Sequence, residues 1–112
     1  MPCEVTLLDP ARRFIEGLDV KLKAKTLRTI DLLAEFGSRL SMPYARKLIG
    51  HDLWELRVRH GSDICRLFYF HQGHEIYVVT SGYVKKTDRT SAAQIGRAER
   101  LRKRFVSEEE RG

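Results

Sequence analysis

A chain of 112 residues and 13.0 kDa holds material for one core, so residues 1–112 are read as a single domain. Its apolar fraction of 42% is so broken by charge that neither a transmembrane helix nor a signal peptide is expected, which fits a soluble cytoplasmic protein. A formal charge of +6 and a pI near 9.6 point to a polyanionic partner, nucleic acid before membrane, because no basic helix carries a broad apolar face; an acidic protein would satisfy the same charge.

The chain opens on CEVTLL, a short strand, and Asp9-Pro10 then supplies an N-cap and a first-turn proline for a helix over about 10–16. Leu22, Leu27, Ile30, Leu33 and Ala34 keep helical spacing from about 19 to 36, with Lys21, Lys25, Arg28, Asp31 and Glu35 opposite, and Gly37 closes that helix. After Pro43, LWELRVR alternates Trp54, Leu56 and Val58 with Glu55, Arg57 and Arg59, the period of a half-buried strand. HGSD turns the chain into ICRLFYF and HQGH turns it into EIYVVTS, which makes an antiparallel meander. A last helix opens on the capping box Ser91-Ala92-Ala93-Gln94 and buries Ile95, Ala98, Leu101 and Phe105, with Arg97, Arg100, Arg102, Lys103 and Arg104 outside. The closing SEEERG is expected to fray. The order β-α-α-β-β-β-α describes an α+β fold, an antiparallel sheet flanked by two N-terminal helices and a C-terminal helix.

Cys3 and Cys65 stand far apart without histidines at ligand spacing, so they read as small buried hydrophobes in a reduced compartment. His51, His60, His71 and His74 fall in or beside turns and read as solvated. His71 and His74 have no third ligand nearby, so no metal is expected, and no cofactor.

Strand pairing decides which side chains share a face. If HGSD joins Arg59 to Ile64, Arg57 lies opposite Arg66. If HQGH closes so that His71 faces His74 and Phe70 faces Glu75, then Tyr77, Val79, Ser81, Tyr83 and Lys85 join the arginine face. The other face becomes Trp54, Leu56, Val58, Cys65, Leu67, Tyr69, Ile76 and Val78, nearly all apolar, as a helix-covered face requires. Two arginines directly across a sheet repel by up to about 1 kcal/mol, and a bound polyanion offsets that cost. Arg57, Arg66, Tyr83 and Lys85 therefore converge on an open face with Lys86 beside them, and Phe68, Phe70 and Tyr77 offer rings to unstacked bases. The plainer alternative is that Glu55 and Asp63 pair with the arginines as solvated surface charge.

LWELRVRHGSDICRLFYF, then IYVVTSGYVKKTDRT, then a helix beginning SAAQIGRAERL, resembles the RelE/HigB-type toxins of bacterial toxin–antitoxin pairs, in particular the phage Gp49-like branch, over roughly residues 40–101. The resemblance implies a curved antiparallel sheet with flanking helices and a ribosome-dependent mRNA endonuclease. It further implies a cognate helix-turn-helix antitoxin and no membrane partner. By similarity Arg57 and Arg66 match basic positions on the central strands, Lys85 and Lys86 those at the end of the last strand, and Tyr83 an aromatic position before them. Asp88 and Arg89 stand where the branch usually has an amide and a lysine, and Ser91 near a common proline; Asp88 either lowers RNA affinity or orients Lys85 or Arg89.

Metal-free RNA cleavage sends the substrate's 2′-OH onto the adjacent phosphorus and expels the 5′-oxygen, leaving a cyclic phosphate. Fixed guanidiniums suit the developing charge, so Arg66 first and Arg57 second are assigned to it. Lys85 holds the phosphate or moves a proton, and Tyr83 stacks on a base or assists proton transfer. Lys86, Arg59, Arg89 and Phe68 complete the RNA-binding set. Weak acid–base equipment puts much of the rate in substrate positioning by the ribosome. Arg66→Ala is expected to fold normally and lose activity. Two alternatives stand beside this reading: a ParE-like gyrase inhibitor that cuts no RNA, and a non-catalytic basic RNA-binding module.

Overall fold

Strand β1 (Glu4–Leu7) leads into helices α1 (Asp9–Glu16) and α2 (Val20–Phe36) in this computed structural model, which describes residues 3–73 and 75–111. A 3-10 turn over Gly37–Arg39 follows, then strands β2 (Ala45–Lys47), β3 (Trp54–His60), β4 (Asp63–His71) and β5 (Ile76–Lys85), and helix α3 (Ala92–Arg111). The five strands form one open sheet in the order β1-β5-β4-β3-β2, antiparallel except that β1 runs parallel to β5. The sheet is thus mixed, and β2 is a strand the alternation pattern did not foretell.

Local chemistry explains the helix ends. Asp19 caps α2, its Oδ1 accepting from the Leu22 N–H at 3.0 Å. Helix α1 begins at Asp9 itself, with Leu8 as the uncapped preceding residue; Asp9 instead takes a hydrogen bond from Arg12 at 2.9 Å. Ser91 caps α3, its hydroxyl accepting from the Gln94 N–H at 3.4 Å, but the reciprocal arm of the expected capping box does not form, because the Ser91 N–H donates to the Tyr83 hydroxyl instead. The SEEERG segment, expected to fray, is helical over Ser107–Arg111, since α3 continues through Arg111; Gly112 lies outside the described residues. On α2, Leu27 is exposed and Thr26 and Thr29 take buried positions, so the apolar stripe is rotated from the one the leucines suggest.

Helices α1 and α2 cover one face of the sheet, where Ala11, Ile15, Ile30 and Leu33 pack on Leu56, Leu67, Tyr69, Tyr77 and Val79. Helix α3 lies on part of the other face, with Ala98, Ile95 and Phe105 against Phe68, Phe70 and Val78. Cys65 is buried and Cys3 half-buried; burial pushes the Cys65 thiol up to about 11 and the Tyr69 phenol above its ordinary range. No helix among the described residues is long and apolar enough to cross a membrane.

The β3–β4 register is the expected one, with Arg57 opposite Arg66 and Trp54 opposite Tyr69. The β4–β5 register is not. His71 pairs with Tyr77 and Phe70 with Val78, because the turn is longer than HQGH alone; His74 itself lies outside the described residues. That odd shift puts Tyr77 and Val79 on the α1/α2 face and Ile76 and Val78 on the α3 face, the reverse of the expectation. A bulge then adds one residue to β5 between the pairs Tyr69–Val79 and Phe68–Ser81. The extra residue is Thr80, whose buried hydroxyl donates to the Phe68 carbonyl at 3.4 Å. The bulge restores the parity, so Arg66 pairs with Tyr83 and Ile64 with Lys85.

Candidate functional site

The odd-numbered residues of β3, the even-numbered ones of β4 and the distal half of β5 point to one face, and β2 adds Arg46 opposite Glu55. Arg46, Glu55, Arg57, Arg59, Arg66, Tyr83 and Lys85 therefore share that face, which satisfies the geometric core of the sequence reading. The face is not open at its centre. Arg66 is 0% exposed and Arg57 6%, and Glu55 between them is wholly buried.

Glu55 is the hub. Its Oε1 accepts from Arg57 Nη1 at 2.8 Å and from Arg46 Nε at 3.0 Å, and its Oε2 accepts from the Thr90 hydroxyl at 2.5 Å. Arg66 Nε lies 3.6 Å from the same Oε2, just beyond hydrogen-bonding range. Three guanidiniums around one carboxylate explain how two arginines can face each other across a sheet: the anion that offsets their repulsion belongs to the protein. The pairing with Glu55 is thus real, but buried rather than solvated.

The segment after β5 closes over the cluster. Arg66 donates from Nη1 to the Lys85 carbonyl at 3.5 Å and from Nη2 to the Thr87 carbonyl, so the guanidinium pins the loop from beneath. Arg46 Nη2 donates to the Thr90 hydroxyl at 3.0 Å and to the Asp88 carbonyl at 3.4 Å. The Asp88 carboxylate accepts from Arg57 Nη2 at 3.2 Å and Arg59 Nη2 at 3.0 Å while its side chain stays 75% exposed.

Tyr83 is half-buried. Its ring stacks on Phe68, centroids 6.0 Å apart, and Arg66 Cζ lies 5.6 Å from its centroid. Its hydroxyl accepts from the Ser91 N–H at 2.7 Å, tying the site to the start of α3. Phe68 is fully buried beneath it and Phe70 packs edge-on against Phe105, so neither ring faces solvent as the sequence reading required; Tyr77 is on the opposite face.

Lys85, Lys86, Arg59 and Arg89 are exposed. Of these, Arg59 alone has an ion-pair partner among the described residues, namely Asp88. The site is therefore an arginine core whose charge Glu55 offsets only in part, beneath a rim of exposed cations. Arg46 and Thr90 were missed from the sequence. Arg46 sits on a three-residue strand with no readable alternation, and its one available signal was Glu55, an acidic residue on a face otherwise lined by arginines.

The family profile described as Phage derived protein Gp49-like (DUF891) matches residues 13–103. No curated protein matches the chain. Among solved structures, a free-state mutant of the E. coli toxin RelE superposes with a TM-score of 0.64 at 17% identity, covering 91% of this chain and 98% of that one. The intact E. coli RelBE toxin–antitoxin complex gives 0.57 at 18% identity over 78% of this chain and 99% of its matched chain. The archaeal RelE–RelB complex from Pyrococcus horikoshii OT3 gives 0.57 at 19% identity over 80% and 100%. At these identities the likeness is one of fold, the open mixed sheet with its three helices. With the profile spanning most of its length, the chain belongs to the Phage derived protein Gp49-like family.

Proposed function

We propose that the protein is the toxin of a type II toxin–antitoxin pair and that it inhibits translation by cutting mRNA on the ribosome, in the cytoplasm and without a metal. Family membership and the RelE fold support the toxin reading, since the structural neighbours are described as toxins and toxin–antitoxin complexes. The observation that carries the nuclease reading is the rim of exposed cations, Arg59, Lys85, Lys86 and Arg89, around a guanidinium core on one sheet face.

In this reading Lys85, Lys86 and Arg89 take the RNA phosphates. Arg57 supplies the charge that meets the developing negative phosphate, because its Nη2 already reaches outward to an exposed oxygen. The 2′-hydroxyl loses its proton to solvent as its oxygen bonds to phosphorus, and the bond to the 5′-oxygen breaks as that oxygen takes up a proton, giving a cyclic phosphate and a 5′-hydroxyl. Arg66, fully buried, acts as a positioning residue that holds the Lys85–Thr87 backbone. Tyr83 spends its lone pair on Ser91 but keeps its O–H proton, which favours proton transfer to the leaving oxygen over base stacking. Among the described residues no strong general base stands free at the cluster centre, so the ribosome supplies much of the alignment. The inhibitor is a helix-turn-helix antitoxin encoded alongside.

One observation favours a second reading. Arg57 is already engaged by Glu55 and Asp88, and Arg66 by the Lys85 and Thr87 carbonyls, which suits a binder that poisons a target such as gyrase without cutting RNA. Expression with and without the neighbouring gene, followed by mapping of mRNA 5′ ends, separates the two. New 5′ ends within translated regions, abolished by the partner gene, are expected. Growth arrest with intact mRNA and a DNA-damage response would overturn the nuclease reading.

A further inference from the structure

We propose that the Nη2 atoms of Arg57 and Arg59 form an oxyanion site that Asp88 occupies in the free protein, and that an RNA phosphodiester enters by displacing the Asp88 carboxylate. The two atoms converge on a single oxygen, Asp88 Oδ1, at 3.2 and 3.0 Å, both within hydrogen-bonding distance, so that two guanidiniums share one anionic oxygen. The two acidic residues of the cluster differ in the property that matters. Glu55 is wholly buried, holds Arg46, Arg57 and Thr90, and cannot leave without stranding charge inside the protein.

Asp88 stands on a loop with its side chain 75% exposed, so rotation about its side-chain bonds returns it to water at little cost. The backbone around it is held independently of its carboxylate, through the carbonyls of Lys85, Thr87 and Asp88 and the Thr90 hydroxyl. The carboxylate can therefore swing out while the loop and its lysines stay in place. Asp88 thus lowers RNA affinity rather than orienting Lys85 or Arg89, since its carboxylate contacts Arg57 and Arg59. The identity of the anion as RNA rests on the proposed function; the oxyanion site itself does not.

The test compares wild type, Asp88→Asn, and Asp88→Asn combined with Arg59→Ala. Two probes are used: inorganic phosphate, by thermal shift, and a short single-stranded RNA, by fluorescence anisotropy across a salt series. Asn keeps the side-chain shape and removes the competing charge. Asp88→Asn is expected to bind both probes about fivefold more tightly at low salt, with a log–log salt slope steeper by about 0.7, and the second substitution is expected to cancel the gain. Unchanged or weaker binding of both probes by Asp88→Asn would make Asp88 a structural clamp and overturn the inference, as would a gain that survives loss of Arg59. If binding tightens but no mRNA is cut in cells, the oxyanion site stands and the nuclease reading falls. If mRNA is cut and binding does not tighten, the reverse holds.

Discussion

Glu55 and Arg57 lie two residues apart on the same face of β3, joined at 2.8 Å with both side chains buried. Replacing Glu55 with Gln keeps the volume and removes the charge, leaving Arg46, Arg57 and Arg66 to repel one another around a neutral amide. Urea denaturation should show a loss of about 3 kcal/mol, the usual cost of breaking a buried pair from one side. A change below about 0.5 kcal/mol would mean that water reaches the guanidiniums and screens them.

Arg66→Ala is not the innocuous variant that an exposed arginine would allow. Its guanidinium supplies the hydrogen bonds that the Lys85 and Thr87 carbonyls receive, so truncation leaves a cavity and frees the loop. A fall of about 3 kcal/mol in stability is expected together with loss of growth inhibition. Arg66→Lys should recover part of the stability and less of the inhibition, because an ammonium cannot span both carbonyls and the Glu55 carboxylate. Full inhibition by a stably folded Arg66→Ala would remove Arg66 from the function.

Lys85 and Lys86 behave oppositely because both are solvent-exposed. The double change Lys85→Ala, Lys86→Ala should leave stability within about 0.5 kcal/mol and weaken RNA binding, with the salt slope shallower by about 0.7 per lost phosphate contact. Unaltered RNA affinity would show that the rim does not carry the phosphates.

Gly82 admits no side chain. A Cβ there would stand 2.7 Å from the Arg66 carbonyl oxygen, 2.6 Å from Leu67 Cδ2 and 2.7 Å from Phe14 Cδ2. The first of these is sheet backbone and cannot yield. Gly82→Ala should cost about 2 kcal/mol and loosen α1 from the sheet, seen as faster amide exchange over Asp9–Glu16.

Alkaline pH should destabilise the protein. Burial holds the Cys65 thiol protonated up to about 11, against an ordinary value of 9.0. Folding therefore favours the protonated form, and its full contribution is present below pH 9 and lost as pH rises from 9 to 11. A decline of about 2 kcal/mol across that window is expected, with the buried Tyr69 adding to it above pH 10. Cys65→Ala should flatten the curve between pH 9 and 10; an unflattened curve would place the cause elsewhere.

Periodicity made most of the fold legible before any coordinates. Trp54, Leu56 and Val58 alternate cleanly and the Gly61-Ser62 turn leaves a single register, so the Arg57–Arg66 pairing followed directly. The β4–β5 pairing did not, because a longer turn and a one-residue bulge at Thr80 each reverse the parity, and neither has a signature in HQGHE or VVTSGYV. The two departures cancel beyond Ser81, which is why Tyr83 and Lys85 sit where the shorter turn would also have put them, while Tyr77 and Val79 do not. In the site, residue types announced a basic face. Whether Arg66 meets solvent depended on Glu55, on a three-residue strand carrying Arg46, and on a loop folding back, all of which are tertiary facts that pattern alone does not encode.

The parallel pairing of β1 with β5 joins the first strand of the chain to the last, with Glu4 beside Ile76 and Leu7 beside Val79. A nascent polypeptide cannot complete this sheet until the stretch ending at Lys85 has left the exit tunnel, so the cationic rim is assembled late in synthesis. Products truncated before β5 therefore lack the strand that joins β1 to β4, together with Lys85 and the Lys86 that follows it.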